Sequence, residues 1–284
     1  MRLDSPQTLI PRLILAALAV ASMAGLQPAE ATVIEAFTAD RDTTLLAGIP
    51  DSNFGDYNHL PIGDLGGATD QRSILSFDVG DVPSGATING ITLNLYVAAN
   101  ELNESMTIAL HAITADNRDW VEGDGGTNGA GDPGWSTWNE RIKGSANWAG
   151  DAGLAEPGDD YAITALSTVV VGNPSVTPLG SWVEFSFSGT SDALTDLIDS
   201  WREDNVEQMR ANPGLLLFKT TELSGTVHER LVFASREWNV ALQRPELVVE
   251  YTLASTAVPE PSTVALLGLG LIAMLGLAWK RRRG

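Results

Sequence analysis

Along most of the chain apolar residues alternate with polar ones at a period of two. Leu75, Phe77 and Val79 alternate with Ser76 and Asp78, and Ile91, Leu93, Leu95 and Val97 with Thr92, Asn94 and Tyr96. Met106, Ile108 and Leu110 repeat the pattern, as do Val183, Phe185 and Phe187, and Leu247, Val249 and Tyr251. A period of two marks strands with one buried face. The unbroken apolar run Leu215 to Phe218 predicts a strand covered on both faces. Turn clusters such as Val82-Pro83-Ser84-Gly85 separate these segments. Together they predict an all-β fold, a β-sandwich or jelly roll. A single short helix is expected where Ala193, Leu194, Leu197, Ile198 and Trp201 fall at helical spacing, with Ser191 as its cap and Asp192 in its first turn. It is expected to lie across one end of the sandwich. Between Asp116 and Tyr161 the chain is rich in Gly, Asp, Asn and Trp and has little periodicity. A loop of that length inside a compact domain is usually functional or holds ions.

The ends break the pattern. Arg2 and Arg12 precede the uncharged apolar run Leu13 to Leu26, and small residues follow, ending Ala29-Glu30-Ala31. A positive flank, a short apolar segment and an Ala-x-Ala site read as a secretory signal peptide over 1–31, cut after Ala31. Near the C-terminus, residues 263–279 carry no charge and close on Trp279. As a helix this stretch reaches roughly 25 Å, enough to cross a membrane core. The cluster Lys280, Arg281, Arg282, Arg283 follows and is expected to stay cytoplasmic as a basic tail over 280–284. A linker over 254–262 carries Val258-Pro259-Glu260-Pro261, whose two prolines hold the backbone extended outside the span. The exported domain is therefore 32–253.

Charge sharpens this division. The whole chain has 17 Lys plus Arg against 36 Asp plus Glu, a net charge of −19, and no cysteine. Setting aside Arg2, Arg12, the four-residue basic cluster, Asp4, Glu30 and Glu260 leaves the middle near −22. Such acidity excludes a phosphate-neutralising nucleic-acid binder. The absence of cysteine excludes disulfide scaffolds, thiolate metal sites and cysteine catalysis.

The C-terminal sequence of Pro-Glu-Pro, apolar helix and basic tail resembles the PEP-CTERM sorting domain of Gram-negative bacteria. That resemblance implies processing by a membrane enzyme of the exosortase type, transient anchoring, and delivery to the cell surface or the exopolysaccharide matrix. The core resembles the DNRLRE-type domain. The motifs that carry this are Asn53-Phe54-Gly55, Arg72 to Val79, Val82 to Ile88, Trp120-Val121-Glu122-Gly123 and Thr137-Trp138-Asn139, then Asn212 to Leu217, Phe233 to Glu237 and Arg244 to Tyr251. It implies a β-sandwich of extracellular and cell-wall proteins, some relatives being carbohydrate-binding modules, alginate-binding ones among them. No catalytic motif comes with it.

The residue types present bear on three chemistries. Tryptophan faces can stack on sugar rings. Trp120, Trp138 and Trp148 are expected to cover the core, and Trp135, between Gly134 and Ser136, is the one expected to remain open for carbohydrate. Calcium takes carboxylate and carbonyl oxygens. Asp119, Glu122, Asp124 and Asp132 lie among glycines, and Asp40, Asp42, Asp159 and Asp160 add further carboxylates, without EF-hand spacing. Catalysis has no support: there is no Gly-x-Ser-x-Gly, His-Glu-x-x-His or Walker loop, and His59, His111 and His228 are far apart. The expectation is an exported, noncatalytic surface or matrix protein that contacts extracellular polysaccharide, neutral, or acidic through calcium. The alternatives are a structural or adhesive protein without specific glycan binding and a polysaccharide-degrading enzyme.

Overall fold

The computed structural model describes residues 31–66, 69–126, 132–202, 212–220, 229–253 and 261–282. The signal segment with Ala29, the motif residues Val258, Pro259 and Glu260, and also His228 and Arg283, lie outside the described residues. Ala31 is exposed and stands directly before the first strand. The chain divides into two units, one of them Ala31–Leu253.

That unit is built from strands β1 (Thr32–Leu46), β2 (His59–Asp64), β3 (Asp70–Phe77), β4 (Thr87–Asn100), β5 (Met106–Ala112), β6 (Glu140–Ile142), β7 (Ala146–Asn147), β8 (Ser167–Val171) and β9 (Trp182–Ser186). Helix α1 (Ser191–Arg202) follows, then β10 (Leu215–Lys219), β11 (Glu229–Ala234) and β12 (Glu246–Thr252). The fold is mostly β, as the alternation predicts. Its closure departs from an open two-sheet sandwich. β1 pairs with β12 through its first half and with β3 through its second. β4 pairs with β12 through its first part and with β11 through its last. These two long strands belong to both layers. With the β11–β2 and β2–β3 pairings they close a ring of six strands, β1-β12-β4-β11-β2-β3. Corners made by strands that change sheets at bulges allow this, and both long strands carry register shifts where they change partner, between Ala39 and Arg41 in β1 and between Val97 and Ala99 in β4. From the ring, β10, β5 and β8 extend beyond β3, and β9 adds to β4.

The ring encloses the main core, with Leu60, Ile62, Leu75, Phe77, Leu93, Leu95, Phe185, Phe233 and Leu247 among its members. A second apolar cluster lies on the opposite face of β1, β3 and β10. It consists of Leu45, Ile74, Ile113, Trp120, Trp148, Leu154, Tyr161 and Leu216, with Trp138 and Phe218 packed against it. The long irregular segment is thus a lid over the outside of one sheet. It carries the short β6–β7 ribbon. β10 accordingly has Leu215 and Leu217 in one core and Leu216 in the other, the two-sided burial its sequence predicts.

Helix α1 forms as expected, with Leu194, Ile198 and Trp201 buried. Its cap differs. The Thr190 hydroxyl accepts from the Ala193 N–H at 3.3 Å, while Ser191 donates its hydroxyl to the Ile88 carbonyl at the start of β4. Thr195 accepts from the Ile88 N–H at 3.0 Å. Docking against β4 therefore takes Ser191 away from the cap.

Outside this unit, helix α2 runs from Pro261 to Arg282. Pro261 opens it, where a missing N–H and a fixed φ are tolerated. The helix runs into the basic cluster, with Lys280 and Arg281 exposed. Among the described residues, no helix is long and apolar enough to cross a membrane.

Candidate functional site

The first candidate site starts from the bulge in β1. Ala39 faces the main core, and strict alternation would place Arg41 there too. The register shift between Ala39 and Arg41 reverses the faces. Arg41, opposite Ser76, turns outward under the lid. Asp42, opposite the core residue Leu75, turns inward. Both are buried, at 1% and 0% exposure.

Arg41 is a clamp for the lid. Its Nε donates to Ser76 Oγ at 2.9 Å. Its two terminal nitrogens donate to the carbonyls of Trp120, Arg118 (3.1 Å) and Asn212 (3.0 Å). Trp120 itself donates from Nε1 to the Pro213 carbonyl at 2.8 Å.

Asp42 meets two other carboxylates. Glu122 arrives from the lid and Glu237 from the turn after β11. One carboxylate oxygen from each of the three lies within 4.8 Å of the others. Arg236 stands among them, its Nε 2.7 Å from Glu122 Oε1 and 2.9 Å from Glu237 Oε1. Asp42 Oδ2 accepts the Arg236 N–H at 2.8 Å, and the Asp42 N–H donates to Glu122 Oε1 at 2.7 Å. Asp42 Oδ1 is buried and has no hydrogen-bond partner. Burial, then the charges of Glu237 and Glu122, push the Asp42 carboxyl well above the usual carboxylate range. Burial also raises Glu122, against the bond from Arg236, and it raises Glu237.

Glu122 is positioned by Asn53. The buried Asn53 amide donates to the Glu122 carbonyl at 2.6 Å and to that of Ser136 at 2.8 Å. Its Oδ1 accepts from Gly55 and Gly125, each at 3.1 Å. Neither glycine has room for a side chain. A Cβ on Gly55 would sit 2.1 Å from the Glu122 carbonyl oxygen, and one on Gly125 would sit 2.1 Å from that of Asn53.

The calcium set expected from sequence is not what comes together. Asp119, Asp124 and Asp132 are exposed. Only Glu122 of that set joins the cluster, with Asp42 and Glu237 as its partners. Asp160 is buried for a different reason. Its two oxygens accept from the Asn117 amide and the N–H groups of Gly150, Asp151 and Glu156, so it organises the lid. Nothing in the sequence marks Glu237 as a neighbour of Asp42. It lies in a Ser-Arg-Glu turn nearly two hundred positions from Asp42.

The second candidate site lies where β8 and β9 end their sheets. Among the described residues, β8 pairs with β5 and β9 with β4, and neither has a second partner strand. Between them is a cleft of about 340 Å³ lined by Val169, Val171, Val176, Pro178, Trp182 and Glu184. Trp182 is 43% exposed and meets Tyr96 edge-on, with ring centres 5.5 Å apart. Val170, Val176 and Leu179 nearby are more than two-thirds exposed. Asn100 fixes the turn at the rim, donating to the carbonyls of Gly172 and Thr177 at 3.0 and 2.7 Å.

The tryptophan expected to be open is not the most open one. Trp135 is half-buried, its ring against Gly123. Trp120 and Trp148 are buried under the lid. Trp182 was legible. Alternation puts it with Glu184 and Ser186 on the face opposite Val183 and Phe185.

Both sites lie in or beside a recognisable module. Residues 33–124 match carbohydrate-binding module family 96. Residues 257–283 match the PEP-CTERM protein-sorting motif. No curated protein matches the chain. The module match takes in Asp42, Tyr96 and Glu122 and ends before Trp182, Arg236 and Glu237. The sorting-motif match takes in Pro259, Glu260, Pro261 and the basic cluster Lys280 to Arg283.

Proposed function

We propose that the chain is an exported, noncatalytic carbohydrate-binding protein, sorted to the cell surface or extracellular matrix by an exosortase-type enzyme, and that the Trp182 cleft contacts the glycan. The observation that carries the glycan part is Trp182. It is a large apolar ring held partly open at a cleft rim by Tyr96, beside a carboxylate. Burying such a ring normally gains one to a few kcal/mol, so leaving it exposed beside apolar neighbours indicates a ligand. Sugar C–H groups suit the ring face, and the Glu184 carboxylate can accept hydrogen bonds from sugar hydroxyls.

Charge selects the ligand class. A domain near −22 repels polyanions within a Debye length, and Glu184 adds to this in the cleft. Neutral glycan is the expected ligand, or acidic glycan bridged by calcium. The C-terminal helix supports the sorting part. Leu269, Leu271, Ile272, Met274 and Leu275 are all exposed along it. Exposed apolar side chains favour transfer out of water, which agrees with the transient anchoring before processing that the PEP-CTERM motif implies.

The test is affinity electrophoresis or calorimetry on a panel of neutral and acidic polysaccharides, with calcium and with chelator. The expected result is binding to a neutral glycan, weakened about tenfold by Trp182→Ala. Binding to none would favour a structural or adhesive matrix protein. Release of new reducing ends would favour an enzyme.

A further inference from the structure

Three acidic side chains from distant parts of the chain share one pocket with a single guanidinium. Three carboxylates against Arg236 leave an excess of negative charge, and Asp40 adds to the field on Glu122. One member, Asp42, is wholly buried, and its Oδ1 has no hydrogen-bond partner. A buried carboxylate oxygen without a donor costs a large part of its hydration free energy. Folds retain such an atom when something else satisfies it.

We propose that Asp42, Glu122 and Glu237 are the protein ligands of one calcium ion. The donors are all oxygen, which suits a hard cation and disfavours zinc or copper. Oxygens on opposite sides of a calcium ion bound at about 2.4 Å stand about 4.8 Å apart. The three carboxylates are already gathered within that span, as ligands of one ion must be. A divalent charge offsets the excess that Arg236 leaves, and it gives Asp42 Oδ1 a partner. Arg236 stays at the rim, where its side chain is 39% exposed. The ion would tie the lid, through Glu122, to β1 and to the turn after β11. This role is independent of the glycan cleft, whose residues it does not use.

The experiment uses the full chain, purified in detergent and stripped with chelator. Calcium chloride is titrated calorimetrically, and terbium is followed by luminescence sensitised from nearby tryptophan. One saturable site per chain is expected, with half-saturation between about 10⁻⁴ and 10⁻³ M as in extracellular modules. Calcium should also raise the melting temperature. Asp42→Asn and Glu237→Gln should each abolish saturable binding and the thermal shift. Chelator-treated Asp42→Asn should melt no lower than chelator-treated wild type, because an amide replaces an unsatisfied carboxylate. A variant with Asp119, Asp124 and Asp132 all changed to Asn should bind like wild type. Absence of saturable calcium binding in wild type would overturn the proposal, as would binding that survives in both Asp42→Asn and Glu237→Gln.

Discussion

The guanidinium of Arg41 lies 3.9 Å from the centre of the Trp120 ring, and the same side chain donates to the Trp120 carbonyl. One residue on β1 thus holds both the face and the backbone of the lid. Arg41→Met should leave the carbonyls of Trp120, Arg118 and Asn212 without this donor. A cost of about 3 to 5 kcal/mol in urea unfolding is expected. Arg41→Lys, which keeps the charge but not the fork of donors, should fall between. A loss below about 1 kcal/mol would show that the clamp does not hold the lid.

Asn53→Asp is nearly isosteric but cannot donate. The carbonyls of Glu122 and Ser136 lose their bonds, and a new charge enters a buried site near Glu122. Each unsatisfied group costs about 1 to 3 kcal/mol, so about 2 kcal/mol or more is expected in total. Chemical denaturation measures this, and hydrogen exchange should show faster opening at residues 122–125 than elsewhere.

His111 gives a pH dependence of defined sign. It is buried on β5, stacked on Phe218 with ring centres 5.3 Å apart and edge-on to Tyr161. Its Nδ1 lies 2.7 Å from the Ala162 carbonyl, so Nδ1 carries the proton and donates. Burial lowers its pKa from 6.5, against the raising effect of that bond. The folded state therefore binds fewer protons than the unfolded state as pH falls below that value. The stability contribution is complete above the unfolded pKa and is lost as pH drops toward the lowered folded one. Neighbouring Tyr161 has a raised pKa and stays neutral in this window. His111→Asn keeps a donor toward Ala162 and cannot titrate. Melting curves from about pH 8 to 5 should fall less steeply for the variant than for wild type. His59 shifts in the same direction and is present in both proteins, so the difference isolates His111.

Replacing Pro259 and Pro261 by Ala removes two residues whose rings fix φ and oppose helix, at the motif matched over 257–283. Helix α2 could then continue upward from Pro261 into the motif. Full-length, membrane-associated chain should accumulate in the native host, detected by immunoblotting membrane and released fractions. Processing at the wild-type rate would contradict this role for the prolines.

Much of the strand content could be read residue by residue. The segments around Leu75, Leu93, Ile108, Phe185 and Val249 all form strands with the expected residues inside. β1 escaped that reading through its second half. Residues 41–45 run Arg-Asp-Thr-Thr-Leu, yet all five are buried. Polar side chains are inside there because the lid supplies carbonyl acceptors to Arg41 and the carboxylate cluster collects Asp42. Glu122 gathers with Asp42 and Glu237 and not with Asp119, Asp124 and Asp132, because nearness in sequence does not set nearness in space. The Gly-Ser setting of Trp135 suggests exposure, and the packing of its ring on Gly123 outweighs that.

By itself the sequence determined what depends on near neighbours. Alternation chose strand faces, helical spacing placed α1, and the uncharged apolar run with its basic cluster marked the C-terminus as different from the domain. Tertiary structure decided what depends on which faces are covered. The ring closes because two long strands change partners at bulges. A second core exists because a lid lies on an outer face. Asp42, Glu122 and Glu237 meet because the bulge turns Asp42 inward while the lid and the β11 turn converge on it. Side-chain periodicity reports one strand's geometry, and a one-residue register shift at Ala39 reverses its consequences.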